Sequence, residues 1–116
     1  MNSLEIIKSK LLLFRNERDW KKFHKPKDLA ISLILEASEV LEHFQWKTEE
    51  EIEKYTKEHK DEIAEELADV FNWVILIAYD LKIDLIKSSL KKIDKNSKKY
   101  PIEKARGNHK KYKELI

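Results

Sequence analysis

Apolar positions recur every three or four residues along nearly the whole chain, the spacing of helices that each keep one dry face. Leu4, Ile7, Leu11 and Phe14 form one such stripe and predict a helix from about Ser3 to Arg18. The period breaks over residues 19–26, where Pro26 disfavours helix at Lys25. A second helix is expected from Lys27 or Asp28 to Trp46. Thr48, with Glu51 three residues on, has the form of a capping box and opens a charged, solvated helix over about residues 49–60. A long helix follows from about Asp61 to Leu81. Its apolar residues Leu67, Val70, Phe71, Val74, Ile75, Ile77 and Ala78 cover most of the circumference and predict a central, largely buried rod. Asp84 suits the N-cap of a last helix reaching about Lys99, and Pro101 sets Tyr100 extended. The pattern gives an all-α, four-helix bundle-type fold in a single domain spanning residues 1–116, with a basic tail from about residue 100.

Composition narrows the field. The chain is 41% hydrophobic and 40% charged, so it can fill a core but needs a heavily solvated exterior. One Gly and two Pro are too few for the hairpins of a sandwich or barrel, and Gly107 alone cannot make a Gly-rich phosphate loop. Without cysteine there is no disulfide, thiolate metal site or cysteine nucleophile. The longest near-apolar run, Val70 to Tyr79, is about half the ~20 residues of a bilayer span, and Arg15 ends the short stretch Leu11–Phe14. No membrane association and a cytoplasmic location are expected. The net charge of +2 says little, but residues 91–113 hold ten Lys or Arg against Asp94 and Glu103, while acid concentrates in residues 36–69.

The carboxylates carry the chemistry. At about 100° per residue, Glu36 and Glu39 fall in the gap between the main apolar arc of the second helix and a smaller one at Leu35 and Trp46. Glu66 and Asp69 repeat the spacing on the long helix, in a narrow stripe with Glu62 and Trp73. Neither pair has Lys or Arg three or four residues away. Ionised carboxylates on mostly apolar helices are costly to desolvate. If the helices face each other, the four groups either protonate or share a hard divalent cation, for which a Glu-x-x-Glu plus Glu-x-x-Asp cage suits Mg²⁺. Two other readings compete: the acids line a solvated groove, or lysines of the last helix neutralise them.

Trp73 lies on the acidic stripe and should border the same cavity, where an aromatic can seat a base. Trp20, Trp46 and Trp73 could equally fill the core. Phe23 and His24 could edge the pocket, although His24 also suits a surface position. The basic last helix and tail fit a solvated face, a nucleic-acid contact or neutralisation of a polyphosphate. Only the last accounts for acid and base in separate segments of one small fold.

These motifs resemble the MazG-like all-α nucleoside triphosphate pyrophosphohydrolases, most of all the dCTP pyrophosphatase branch. The pattern is Glu36-Ala-Ser-Glu39 and Glu66-Leu-Ala-Asp69, accompanied in order by Glu17-Arg18-Asp19-Trp20, Phe23-His24-Lys25-Pro26, Phe44-Gln45-Trp46-Lys47, Lys92-Ile93-Asp94-Lys95-Asn96, Tyr100-Pro101, Arg106-Gly107 and Lys111-Tyr112. The resemblance implies a homodimer or homotetramer that cleaves between the α- and β-phosphates to give a nucleoside monophosphate and pyrophosphate. It implies that Glu36, Glu39, Glu66 and Asp69 hold Mg²⁺, and that one of them, or Glu65, positions and deprotonates water. Trp20 and Trp46 would border the base, Asn96 would contact substrate, and Lys98, Lys99, Arg106 or Lys111 the phosphates. Trp73 stands where the relatives are expected to have a tyrosine, and Leu11 where a histidine is expected; both differences bear on base preference. The first-guess substrate is dCTP or 5-modified dCTP. Broad-specificity hydrolysis is the second reading, and a non-catalytic helical nucleic-acid-binding protein the third; nucleic acid is not the expected partner.

Overall fold

A computed structural model describes residues 1–115. Their regular structure is all helical, without strands among the described residues: α1 (Ser3–Glu17), α2 (Pro26–Glu42), α3 (Glu49–Glu58), α4 (Lys60–Asp80), α5 (Leu85–Lys99) and α6 (Ile102–Ala105), with single 3₁₀ turns at Lys21–Phe23 and Tyr112–Glu114. The chain forms two compact units, Met1–Leu81 and the residues from Lys82 onward.

Local chemistry sets the helix starts. Asn2 caps α1 by accepting the Glu5 N–H at 2.9 Å. Pro26 occupies the first position of α2, where its missing N–H costs nothing. The Thr48–Glu51 capping box forms in full and lets the ten-residue, largely charged α3 begin. Asp84 caps α5 through the Lys87 N–H at 3.0 Å.

One expected boundary moves. The second helix stops at Glu42 rather than Trp46. His43, Phe44 and Gln45 close back as tight turns on Val40 and Leu41, and Trp46 takes a left-handed conformation, φ 66°. That is a helix ending of the kind glycine usually makes, adopted here without one.

In the first unit α2 packs chiefly on α4, with α1 and α3 against the same rod. Leu29, 1% exposed, sits at the centre with Ile75, Leu76 and Ala78. The long helix is therefore buried along its last third, not along most of its length as its apolar circumference predicts; Leu67 and Phe71 stay exposed. An all-round apolar helix needs neighbours on every side, and the first unit supplies them on only some.

Arg15 on α1 is 3% exposed and grips Asp80 at the end of α4 through two parallel bonds, Nη1–Oδ2 at 2.9 Å and Nη2–Oδ1 at 3.0 Å. Lys21 approaches the same carboxylate at 3.8 Å. This fork-to-fork pair is geometrically specific and ties the two helices together.

In the second unit, Ile86, Leu90 and Ile93 line one exposed stripe of α5. Tyr100 meets Tyr112 edge to face at 6.2 Å, and Lys99 lies over the Tyr112 ring at 4.8 Å.

Candidate active site

Three of the four acids come together in the first unit. Glu36 and Glu39, one turn apart on α2, lie close enough to Asp69 on α4 for the charges to act on one another. Glu36 Oε2 is buried without a hydrogen-bond partner. Loss of hydration first, then the charges of Glu39 and Asp69, raise the Glu36 carboxyl above the usual glutamate value; the Trp73 indole opposes them. Among the described residues no ion pair involves Glu36, Glu39 or Asp69.

Glu66 is placed differently. Its Oε2 meets Nε2 of His43, a histidine 8% exposed at the end of α2. His43 Nδ1 in turn lies 2.6 Å from the Tyr55 hydroxyl on α3. Glu65 is exposed.

Among the described residues no three His, Asp or Glu side chains are already gathered into a metal shell. The donors nevertheless fit a hard divalent ion. They are carboxylate oxygens, one is buried and unpartnered, and no described cation forms an ion pair with Glu36, Glu39 or Asp69. Glu36, Glu39 and Asp69 could hold Mg²⁺, with Glu66 one turn before Asp69 as the fourth ligand.

Beside the acids opens a cavity of about 710 Å³, lined by Leu11, Phe14, Trp20, His24, Asn72 and Trp73 among others, with Glu36 and Asp69 on its wall. Trp20 meets Phe14 edge to face at 5.7 Å, and His24 meets Trp73 likewise at 5.5 Å. His24 thus lies on the cavity wall, and both departures from the family pattern, Leu11 and Trp73, do too. Trp46 does not: it is 91% exposed and absent from the lining. Asn96, Lys98, Lys99, Arg106 and Lys111 belong to the second unit, Asn96, Lys98 and Lys99 on the last two turns of α5.

Burial holds the His24 imidazole below its usual value of 6.5, helped by Arg15 and Lys21 and opposed by Asp80. A histidine with a lowered folded-state pKa is neutral in the fold and takes up its proton more readily when unfolded. Its contribution to stability is therefore complete above about pH 6.5 and is lost as pH falls through the lower folded value. His24→Gln should lose less melting temperature between about pH 7.5 and pH 5 than the parent. Parallel curves for the two proteins would remove His24 from the acid response.

Sequence reading passed over His43, Tyr55 and the Arg15–Asp80 pair. For His43 a signal existed: it lies four residues past Glu39 and seven past Glu36, on the carboxylate side of α2. Tyr55 and Asp80 have no local signature.

A helical first unit with unpaired acids on two adjoining helices beside an aromatic cavity defines the MazG-like class, and the chain belongs to the MazG-like family, whose model matches residues 31–115. The human dCTP pyrophosphatase 1 is 36% identical over 115 residues, 97% of this chain and 68% of that protein; the bovine protein of the same name is 35% identical over the same shares. A crystal structure of a pyrophosphatase from Archaeoglobus fulgidus superposes with a TM-score of 0.83 at 35% identity, covering 87% of this chain and 94% of that one. The family match contains all four acids but begins after α1, Trp20 and His24, which build much of the cavity wall.

Proposed function

We propose that the chain is a Mg²⁺-dependent nucleoside triphosphate diphosphatase acting on deoxynucleotides, with dCTP or a 5-modified dCTP as first candidate. The observation that carries this reading is the placement of Glu36 and Asp69, with Glu39 beside them and no ion pair to any of the three among the described residues, on the wall of an aromatic cavity large enough for a base. Family membership and the pyrophosphatase relatives support the reaction class.

A water oxygen bonds to the α-phosphorus, the bond from that phosphorus to the α–β bridging oxygen breaks, and pyrophosphate leaves while the nucleoside monophosphate keeps the water oxygen. Mg²⁺, when bound, supplies charge for the phosphate oxygens and acidifies water. The chain's own contributions are distinct. Glu36, raised in pKa by its neighbours, is suited to take the proton from the attacking water. Trp20, Phe14 and Trp73 seat the base, while His24 and Asn72 offer polar atoms beside it. Asn96 and the cations Lys98, Lys99, Arg106 and Lys111 would serve substrate and phosphates. The acids fall inside the family match and the α1 part of the wall outside it, so substitutions at Leu11 or Phe14 should alter base preference and leave the reaction class unchanged. No described helix is long and apolar enough to cross a membrane; the cytoplasm, with its nucleotide pool, is the proposed location.

Pyrophosphate release from a panel of dNTPs with Mg²⁺ tests this reading. Release from dCTP ahead of the others supports it, even release across the panel favours the broad-specificity reading, and none from any dNTP sinks it.

We also propose self-association as a dimer or tetramer. Ile31, Ile34 and Leu35 of α2 and Leu67 and Phe71 of α4 are exposed, Ile34 to 68%. Covering such side chains is worth about 1.5–3 kcal/mol each. Light scattering should give a mass twice or four times 13.9 kDa, and Ile34→Glu should lower it. A 13.9 kDa particle at micromolar concentration would contradict the proposal.

A further inference from the structure

We propose that His43, steadied by Tyr55, is a positioning residue for Glu66: it ties down one carboxylate oxygen and so fixes how Glu66 can meet the divalent ion. This rests on the assignment of Glu66 as a ligand made above.

The geometry is a relay across three helices. Tyr55 on α3 places its hydroxyl 2.6 Å from His43 Nδ1, and His43 Nε2 lies against Glu66 Oε2 on α4, both atoms buried and without a hydrogen-bond partner elsewhere. An ionised carboxylate accepts only, so the imidazole nitrogen facing it must carry hydrogen. In a neutral ring that makes Nδ1 the acceptor, and the phenol its donor. Tyr55 keeps its proton readily: loss of hydration, then the charges of Glu62 and Glu66, raise its pKa. The hydroxyl therefore selects the imidazole form that can donate to Glu66.

Tyr55 is itself clamped. Its ring stacks on His59 at 4.0 Å with 13° between planes, and the Lys47 ammonium sits 4.3 Å from the ring centre on a neighbouring loop. His59 closes α3 and opens α4, and its Nδ1 lies 3.2 Å from the Tyr55 carbonyl oxygen. This gives the polar helix α3 a purpose. It contributes no buried apolar residue, yet it holds the phenol against a histidine buried between α2 and α4.

A free glutamate can rotate about its side-chain torsions and lose ordering entropy on binding an ion. One with an oxygen already held has less to lose. Outer partners of this kind are worth about 10–100-fold in metal affinity.

Mn²⁺ binding to the metal-free, full-length protein, read from the free-ion EPR signal, separates positioning from packing. His43→Leu fills the space without a donor and should weaken Mn²⁺ about 10–100-fold. His43→Gln restores an N–H near the place of Nε2 and should lie within about fivefold of the parent. Tyr55→Phe should weaken binding about 3–10-fold, because the ring loses its selected form. In a Glu66→Gln background, His43→Leu should add nothing further. Two results would overturn the proposal: parental or tighter Mn²⁺ affinity in His43→Leu, or the same loss with Glu66 already replaced. A parent protein that neither binds Mn²⁺ nor releases pyrophosphate refutes the function itself, and the positioning role with it. One that does both while His43→Leu is unchanged refutes the positioning role alone.

Discussion

Asp69→Asn and Glu39→Gln are each expected to abolish pyrophosphate release, by at least about 100-fold, while the helical circular dichroism stays parental. A divalent ion contributes several kcal/mol of charge stabilisation to such a transition state, and each 1.4 kcal/mol is about tenfold in rate. The same substitutions should raise the melting temperature of the metal-free protein at neutral pH. Glu36 is held above its usual pKa by desolvation and by Glu39 and Asp69, so its ionised form opposes folding. A carboxyl raised in the fold weakens stability in full above its folded pKa, and the penalty fades as pH falls from there to the lower unfolded value. Removing a neighbouring charge relieves the cost without acid. Loss of turnover with a gain in stability is the signature of groups gathered for chemistry rather than for the fold. Full activity in the Glu39→Gln, Asp69→Asn double variant would eliminate the assignment.

The largest loss of stability is expected at the other end of α4. Asp80→Ala leaves the Arg15 guanidinium, 3% exposed, without its carboxylate. Breaking a buried pair from one side costs about 3–5 kcal/mol, a large part of the 5–15 kcal/mol that holds a typical domain together. Replacing both partners, Arg15→Met with Asp80→Leu, should recover most of the loss, because no charge is then stranded. Urea unfolding midpoints of the parent, the single and the double variant give the comparison. A single variant within about 1 kcal/mol of the parent would show that water reaches the guanidinium and that the pair is a surface contact.

What could be read in advance followed from local rules. Helices at α1, α3, α4 and α5 are visible because periodicity is a local property, and two of them carry caps just as local: Thr48 with Glu51, Asp84 with Lys87. The acid pairs are visible because an i, i+3 spacing places both groups on one side of any helix. The end of α2 was not, because a left-handed tryptophan is not a stop signal in any propensity scale. Nor was the Arg15–Asp80 pair, whose members are 65 residues apart. The relay from Tyr55 to Glu66 needs three helices in place before any two of its members are neighbours. Burial of α4 was misjudged for a related reason: periodicity reports how much of a helix is apolar, not how many partners are present to cover it.

Trp46 sits at the corner after α2 with its indole almost entirely in water. Trp20 and Trp73 lie on the cavity wall instead. The three chromophores are thus sorted by environment. Trp46, more exposed than Trp20 at 43%, emits furthest to the red and responds to whatever covers that corner, while an occupant of the cavity quenches Trp20 and Trp73, so comparing the parent with Trp46→Phe distinguishes assembly from ligand capture.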